Sequence, residues 1–99
     1  MTIGQLQEHV KELSDAQGWG PRSAETRMIY LVTEVGELAR EVLNLAAAQS
    51  QDDVVVAKER LGLEIYDVIW NLFDLANILG LDVDAAFARK VEINRGRTW

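Results

Sequence analysis

The chain has 99 residues, 48% of them hydrophobic, which sets a single globular domain over residues 1–99 and excludes a disordered polymer. A net charge of −6 disfavours binding to nucleic acid or acidic membranes, and no apolar run approaches the roughly 18 residues of a membrane span. Cysteine is absent, which excludes disulfides and thiolate metal sites; with no signal-peptide pattern at Met1-Thr2-Ile3-Gly4-Gln5, a cytoplasmic setting is expected.

Helical patterns follow one another along the chain, and strand-type alternation is missing. Thr2-Ile3-Gly4-Gln5 fits a capping box that opens a first helix running to about Gln17 and stopping at Gly18. The sole histidine, His9, lies in this amphipathic stretch and is assigned a structural or surface role. Gln17-Gly18-Trp19-Gly20-Pro21-Arg22 is a loop by its glycines and the single proline. Ser23 caps a long second helix to about Ala48, Gln49 to Asp53 form a polar break, and a third long helix ends near Gly80. Asp82 caps a short fourth helix through about Asn94. The predicted fold class is all-α: an antiparallel bundle of about four helices, completed by oligomerisation.

Two matched carboxylate pairs sit on the long helices, Glu34 with Glu37 and Glu64 with Asp67. An i,i+3 spacing aims both members of a pair at one spot, and antiparallel packing of the two helices brings four acids together. Such a cluster repels itself unless protons or cations intervene, and hard oxygen donors suit Mg²⁺. On the helical wheel Glu34, Glu37 and Glu41 form one stripe beside Leu31, Leu38 and Leu45, with the main apolar face predicted at Met28, Val32, Val35, Ala39, Val42 and Ala46. Glu64, Asp67 and Asn71 form the matching stripe on the third helix. The alternative is that these are boundary acids on solvated faces. Two matched stripes beside apolar positions weigh against it, because charged residues avoid such places unless paired or liganded.

Lys90, Asn94 and Arg97 recur at i, i+4 and i+7, on one face if the helix persists. Lys and Arg are the usual phosphate partners and Asn adds a neutral donor; the competing role is simple complementarity to the helix dipole. Trp19 either stacks on a nucleobase or anchors its loop. Asn71 either contacts a base or phosphate or bonds inside the bundle. Glu41 orients water, binds a further metal or does neither. Leu63, Tyr66 and Trp70 make a second partly apolar stripe, expected at a subunit interface. Glu-x-x-His pairs are absent, against a di-iron bundle.

Taken together, Leu31-Val32-Thr33-Glu34-Val35-Gly36-Glu37-Leu38, then Glu64-Ile65-Tyr66-Asp67, then Lys90 to Trp99 with Asn94 and Arg97, resemble the MazG-type nucleotide pyrophosphohydrolases. These belong to the all-α NTP pyrophosphatase superfamily. Thr33 departs from the Glu that often precedes the first pair, which removes one acid that would orient water. The resemblance implies hydrolysis of a nucleoside triphosphate to the monophosphate and pyrophosphate, in nucleotide-pool housecleaning. It implies Glu34, Glu37, Glu64 and Asp67 as catalytic metal ligands for Mg²⁺, with Mn²⁺ as a substitute, and Lys90, Asn94 and Arg97 on the substrate phosphates. It also implies a homodimer or homotetramer. The motifs leave the base unspecified, so a phosphoribosyl-ATP or dUTP-specific relative stays open. So does a non-catalytic helical oligomerisation module.

Overall fold

Each of the four helices begins at the residue whose side chain satisfies its open backbone donors. In this computed structural model, which describes residues 1–99, Thr2 and Gln5 form the capping box of α1 (Ile3–Ala16). Ser23 Oγ accepts from the Thr26 amide at the start of α2 (Ala24–Ala46), and Asp82 does the same for the Ala85 amide of α4 (Val83–Arg95). Helix α3 (Gln51–Ile78) opens inside the segment expected to be a polar break: Ser50 accepts from the Asp53 amide and caps it. Polar residues there serve as a helix start, with Asp52 and Asp53 favourably placed in the first turn. At its far end Gly80 adopts φ 67°, its amide bonds Asn77 O, and the Leu81 amide bonds Ala76 O at 2.9 Å. That is a Schellman closure, and a side chain at Gly80 would strain it.

The all-α prediction holds, with four helices and no strand. Helices α2 and α3 form an antiparallel pair joined by a short turn, α1 packs across α3, and α4 meets α1. Val10, Leu31, Ala57 and Ala76 are the buried apolar residues. Gln7 of α1 ties the ends together: its amide nitrogen donates to Asn77 Oδ1 and Leu81 O, and its oxygen accepts from the Val83 amide. No helix is long and apolar enough to cross a membrane.

The orientation of α2 differs from the wheel-based expectation. The predicted apolar face, Met28, Val32, Val35, Ala39, Val42 and Ala46, points outward, with Val32 63% exposed. The seam against α3 is instead made by Arg27, Leu31, Glu34, Glu37, Leu38, Glu41 and Leu45, all buried or half-buried. The physical reason is that Arg27 and the two acid stripes find partners across the seam, and the aliphatic face is left without one. The fold is accordingly thin, 45 × 44 × 26 Å, with a radius of gyration of 16.5 Å where about 13 Å is usual for this length.

Candidate active site

Antiparallel packing places Glu34 of α2 opposite Glu64 of α3. Ligating oxygens of Glu34, Glu37 and Glu64 all lie within 4.8 Å of one another. Asp67 stands outside this tightest group, yet its charge is felt by both Glu34 and Glu64. Oε2 of Glu34 and Oε2 of Glu64 are buried and have no hydrogen-bond donor. Burial, followed by the charge of Glu37, hydrogen bonding to Glu64 and the charge of Asp67, pushes Glu34 up to about 7. Glu64 is raised as well, chiefly by burial and the charges of Glu37 and Asp67, while the facing carboxyl of Glu34 acts the other way. Unpaired oxygens and a proton-hungry acid are the signs of a cluster that lacks its counter-charge. The donor set is all oxygen, and it fits a hard divalent cation.

The remaining candidates divide. Glu41 is not part of the cluster; it accepts from Asn44 at 3.4 Å and lines a separate cavity with Asp53, Ala57 and Arg60. Asn71 is buried, donating to Asp67 O at 2.7 Å and accepting from Arg27 Nη1 at 2.8 Å. Both bonds lie inside the bundle, and the one to Asp67 O braces the backbone of that acid. Helix α4 ends at Arg95, so Arg97 lies beyond it, its guanidinium 4.5 Å from the ring of Trp99. The i, i+4, i+7 face thus holds for Lys90 and Asn94 only, because Gly96 terminates the helix first. Asn94 Oδ1 is buried without a partner, and no hydrogen bond or ion pair joins Lys90, Asn94 or Arg97 to the acid cluster.

Beyond the acids, the same seam carries an ion network absent from the sequence-based list. Asp74 is 0% exposed, with Oδ1 2.7 Å from Arg22 Nη2 and Oδ2 2.7 Å from Arg27 Nε. Arg22 also donates to Ser14 of α1, so one guanidinium ties the 17–23 loop to two helices. The arginines are roofed by aromatic rings: Arg27 lies 5.9, 5.6 and 5.3 Å from the ring centres of Trp19, Tyr30 and Trp70. Trp70 meets Trp19 edge-to-face at 6.2 Å. Trp70 is therefore partly covered within its own chain, whereas Leu63 and Tyr66 of the same stripe are exposed in the single chain. A cavity of about 740 Å³ opens above this network between the 19–23 loop and the first turns of α2. The sequence signal for Asp74 was its place on the α3 stripe, one turn beyond Asn71.

An all-helical chain whose two central helices converge three carboxylates has the outline of a metal-dependent phosphate enzyme. The family model described as the MazG nucleotide pyrophosphohydrolase domain matches residues 22–98, and the chain belongs to that family. It is also similar to the dATP/dGTP diphosphohydrolase of Cyanophage S-2L, 36% identical over 69 residues, which is 70% of this chain. The match spans about half of that relative, 51% of its length. No solved structure matches the chain.

Proposed function

We propose that the protein is a Mg²⁺-dependent nucleotide pyrophosphohydrolase that cleaves a (d)NTP to the nucleoside monophosphate and pyrophosphate, in the housecleaning of nucleotide pools. The observation that carries this reading is the convergence of three carboxylates within 4.8 Å with two buried oxygens unpartnered. Glu34, Glu37 and Glu64, with Asp67 beside them, hold the Mg²⁺, or Mn²⁺ in its place. When bound, the cation supplies positive charge at the phosphate oxygens and a water of lowered pKa. The proton that the raised carboxyl of Glu34 retains would leave where the cation is held. Lys90, Asn94 and Arg97 hold phosphate oxygens, a use open to them because nothing in the acid cluster occupies them. No covalent intermediate is needed, in keeping with the absence of cysteine. The name of the S-2L relative points the choice of nucleotide toward purine deoxynucleoside triphosphates.

The working unit is a homodimer or homotetramer. The isolated chain exposes 7243 Å², against the roughly 5,700 Å² expected for a monomer of this mass. The excess, about 1,500 Å² per chain, is of the size that an obligate interface removes from each partner. The outward aliphatic face of α2 and Leu63, Ile65 and Tyr66 of α3 are the exposed apolar surface that such an interface would cover.

The test is a panel of canonical and modified triphosphates incubated with purified protein and Mg²⁺, with products resolved. Release of pyrophosphate from at least one member is expected. Release of orthophosphate alone, or inactivity across the panel, would sink the reading, and the latter would favour a helical oligomerisation module.

A further inference from the structure

The cavity at the Arg27 end of the seam has a chemical bias that the acid cluster does not explain. We propose that it is the base slot of this site and that Arg27 makes it select 6-oxopurines, such as guanine and hypoxanthine, over adenine. The inference rests on the nucleotide reading above.

Placement comes first. Arg27 precedes Glu34 by seven residues on one helix face, a separation of about 10 Å, and Tyr30 precedes Glu34 by one turn. A nucleotide whose phosphates sit at the acids carries its base to this level. At about 740 Å³ the cavity has the size of a small-molecule site. Trp19 and Tyr30 line it and are both more than half exposed, so each offers a ring face to a planar base.

The polar inventory then sets the choice. Asp74 has no exposed surface and is ion-paired to Arg22 and Arg27. Asn71 has its oxygen on Arg27 and its nitrogen on Asp67 O. The Ser23 and Thr26 hydroxyls are bonded to each other. Besides the Tyr30 and Thr26 hydroxyls, which swing either way, the lining offers guanidinium, and a guanidinium only donates. Arg27 makes one aligned hydrogen bond, to Asn71, and its Nε rests against Asp74 as an ion pair without an aligned N–H. The other donors are left for a ligand. Guanine and hypoxanthine present two acceptors, O6 and N7, that match an arginine fork; adenine presents its 6-amino donor there and would set donor against donor. Because Asp74 and the surrounding rings fix the guanidinium beforehand, little ordering cost is added on binding.

The experiment is a binding titration of the full chain with Mg²⁺, followed by tryptophan fluorescence. It uses the non-hydrolysable α,β-methylene triphosphates of deoxyguanosine, deoxyinosine, 7-deazadeoxyguanosine and deoxyadenosine. The dG and dI compounds are expected to bind alike and at least tenfold tighter than dA, with the 7-deaza compound weakened because it lacks N7. R27Q is expected to reduce dG binding at least tenfold and to leave dA binding nearly unchanged. If that variant does not fold, the four ligands on the unaltered chain still decide. Equal affinity for dG and dA, or a 7-deaza compound as tight as dG, would overturn the inference whether or not the protein hydrolyses nucleotides. A retained dG preference without pyrophosphate release from dGTP would overturn the hydrolytic reading alone.

Discussion

The carboxylate of Asp74 and the guanidinium of Arg27 meet at 2.7 Å across the α2–α3 seam, and the acid has no exposed surface. Arg22 reaches the same carboxylate at 2.7 Å from the loop before α2. Asp74→Ala leaves two guanidiniums with no counter-charge in a desolvated place. A loss of about 3–5 kcal/mol in unfolding free energy is expected, read by chemical denaturation. A change below about 1 kcal/mol would show that the network is not buried in solution.

Glu37→Gln removes one ligand and one negative charge from the cluster. Pyrophosphate release is expected to fall by at least about 10²-fold, while circular dichroism shows unaltered helicity. Stability without metal is expected not to fall, because a like-charge repulsion is relieved. Retained turnover would remove Glu37 from the metal centre.

The raised carboxyl of Glu34 links stability to pH. Its value is about 7 in the fold against 4.5 for the free group. Between those values the folded chain keeps a proton that the unfolded chain has released. Metal-free protein therefore loses stability as pH rises from about 4.5 to about 7 and levels off above, in the opposite sense to a salt-bridged acid. Melting temperatures in chelator across this range check it, and a flat or rising curve would contradict the crowding of the acids. Adding Mg²⁺ at pH 6.5 is expected to release protons, seen as a buffer-dependent heat of binding.

Val32→Glu places a charge in the middle of the outward aliphatic face of α2. A drop in mass by light scattering is expected, to that of one 11.1 kDa chain or to a smaller assembly. An oligomer that survives the substitution would move the interface elsewhere.

Much of this was legible from local chemistry. Thr2, Ser23 and Asp82 were readable as caps because a side-chain oxygen three residues before an amide is a short-range signal. The acid pairs were readable because a fixed pitch carries spacing into geometry. The facing of α2 was not, because a wheel ranks positions by hydrophobicity and cannot see that Arg27 has two partners waiting on α3 and the loop. Asp74 was missed for the same reason: its partners lie 47 and 52 residues away in sequence. Ser50 was hidden in a polar run that reads equally as loop or cap. Arg97 shares the face of Lys90 and Asn94 only on a helix that persists, and Gly96 ends it one residue earlier.

The seam between α2 and α3 also has a direction. At one end two guanidiniums face a single carboxylate, leaving an excess positive charge; at the other, three carboxylates crowd without any cation from the chain. A polyphosphate meeting the bare protein is drawn to the arginine end and repelled from the acids, the reverse of the productive pose. Loading a divalent ion flips that polarity. Binding is therefore expected to be ordered, ion before nucleotide, and metal-free nucleotide is expected to act as a competitive inhibitor in initial-rate kinetics.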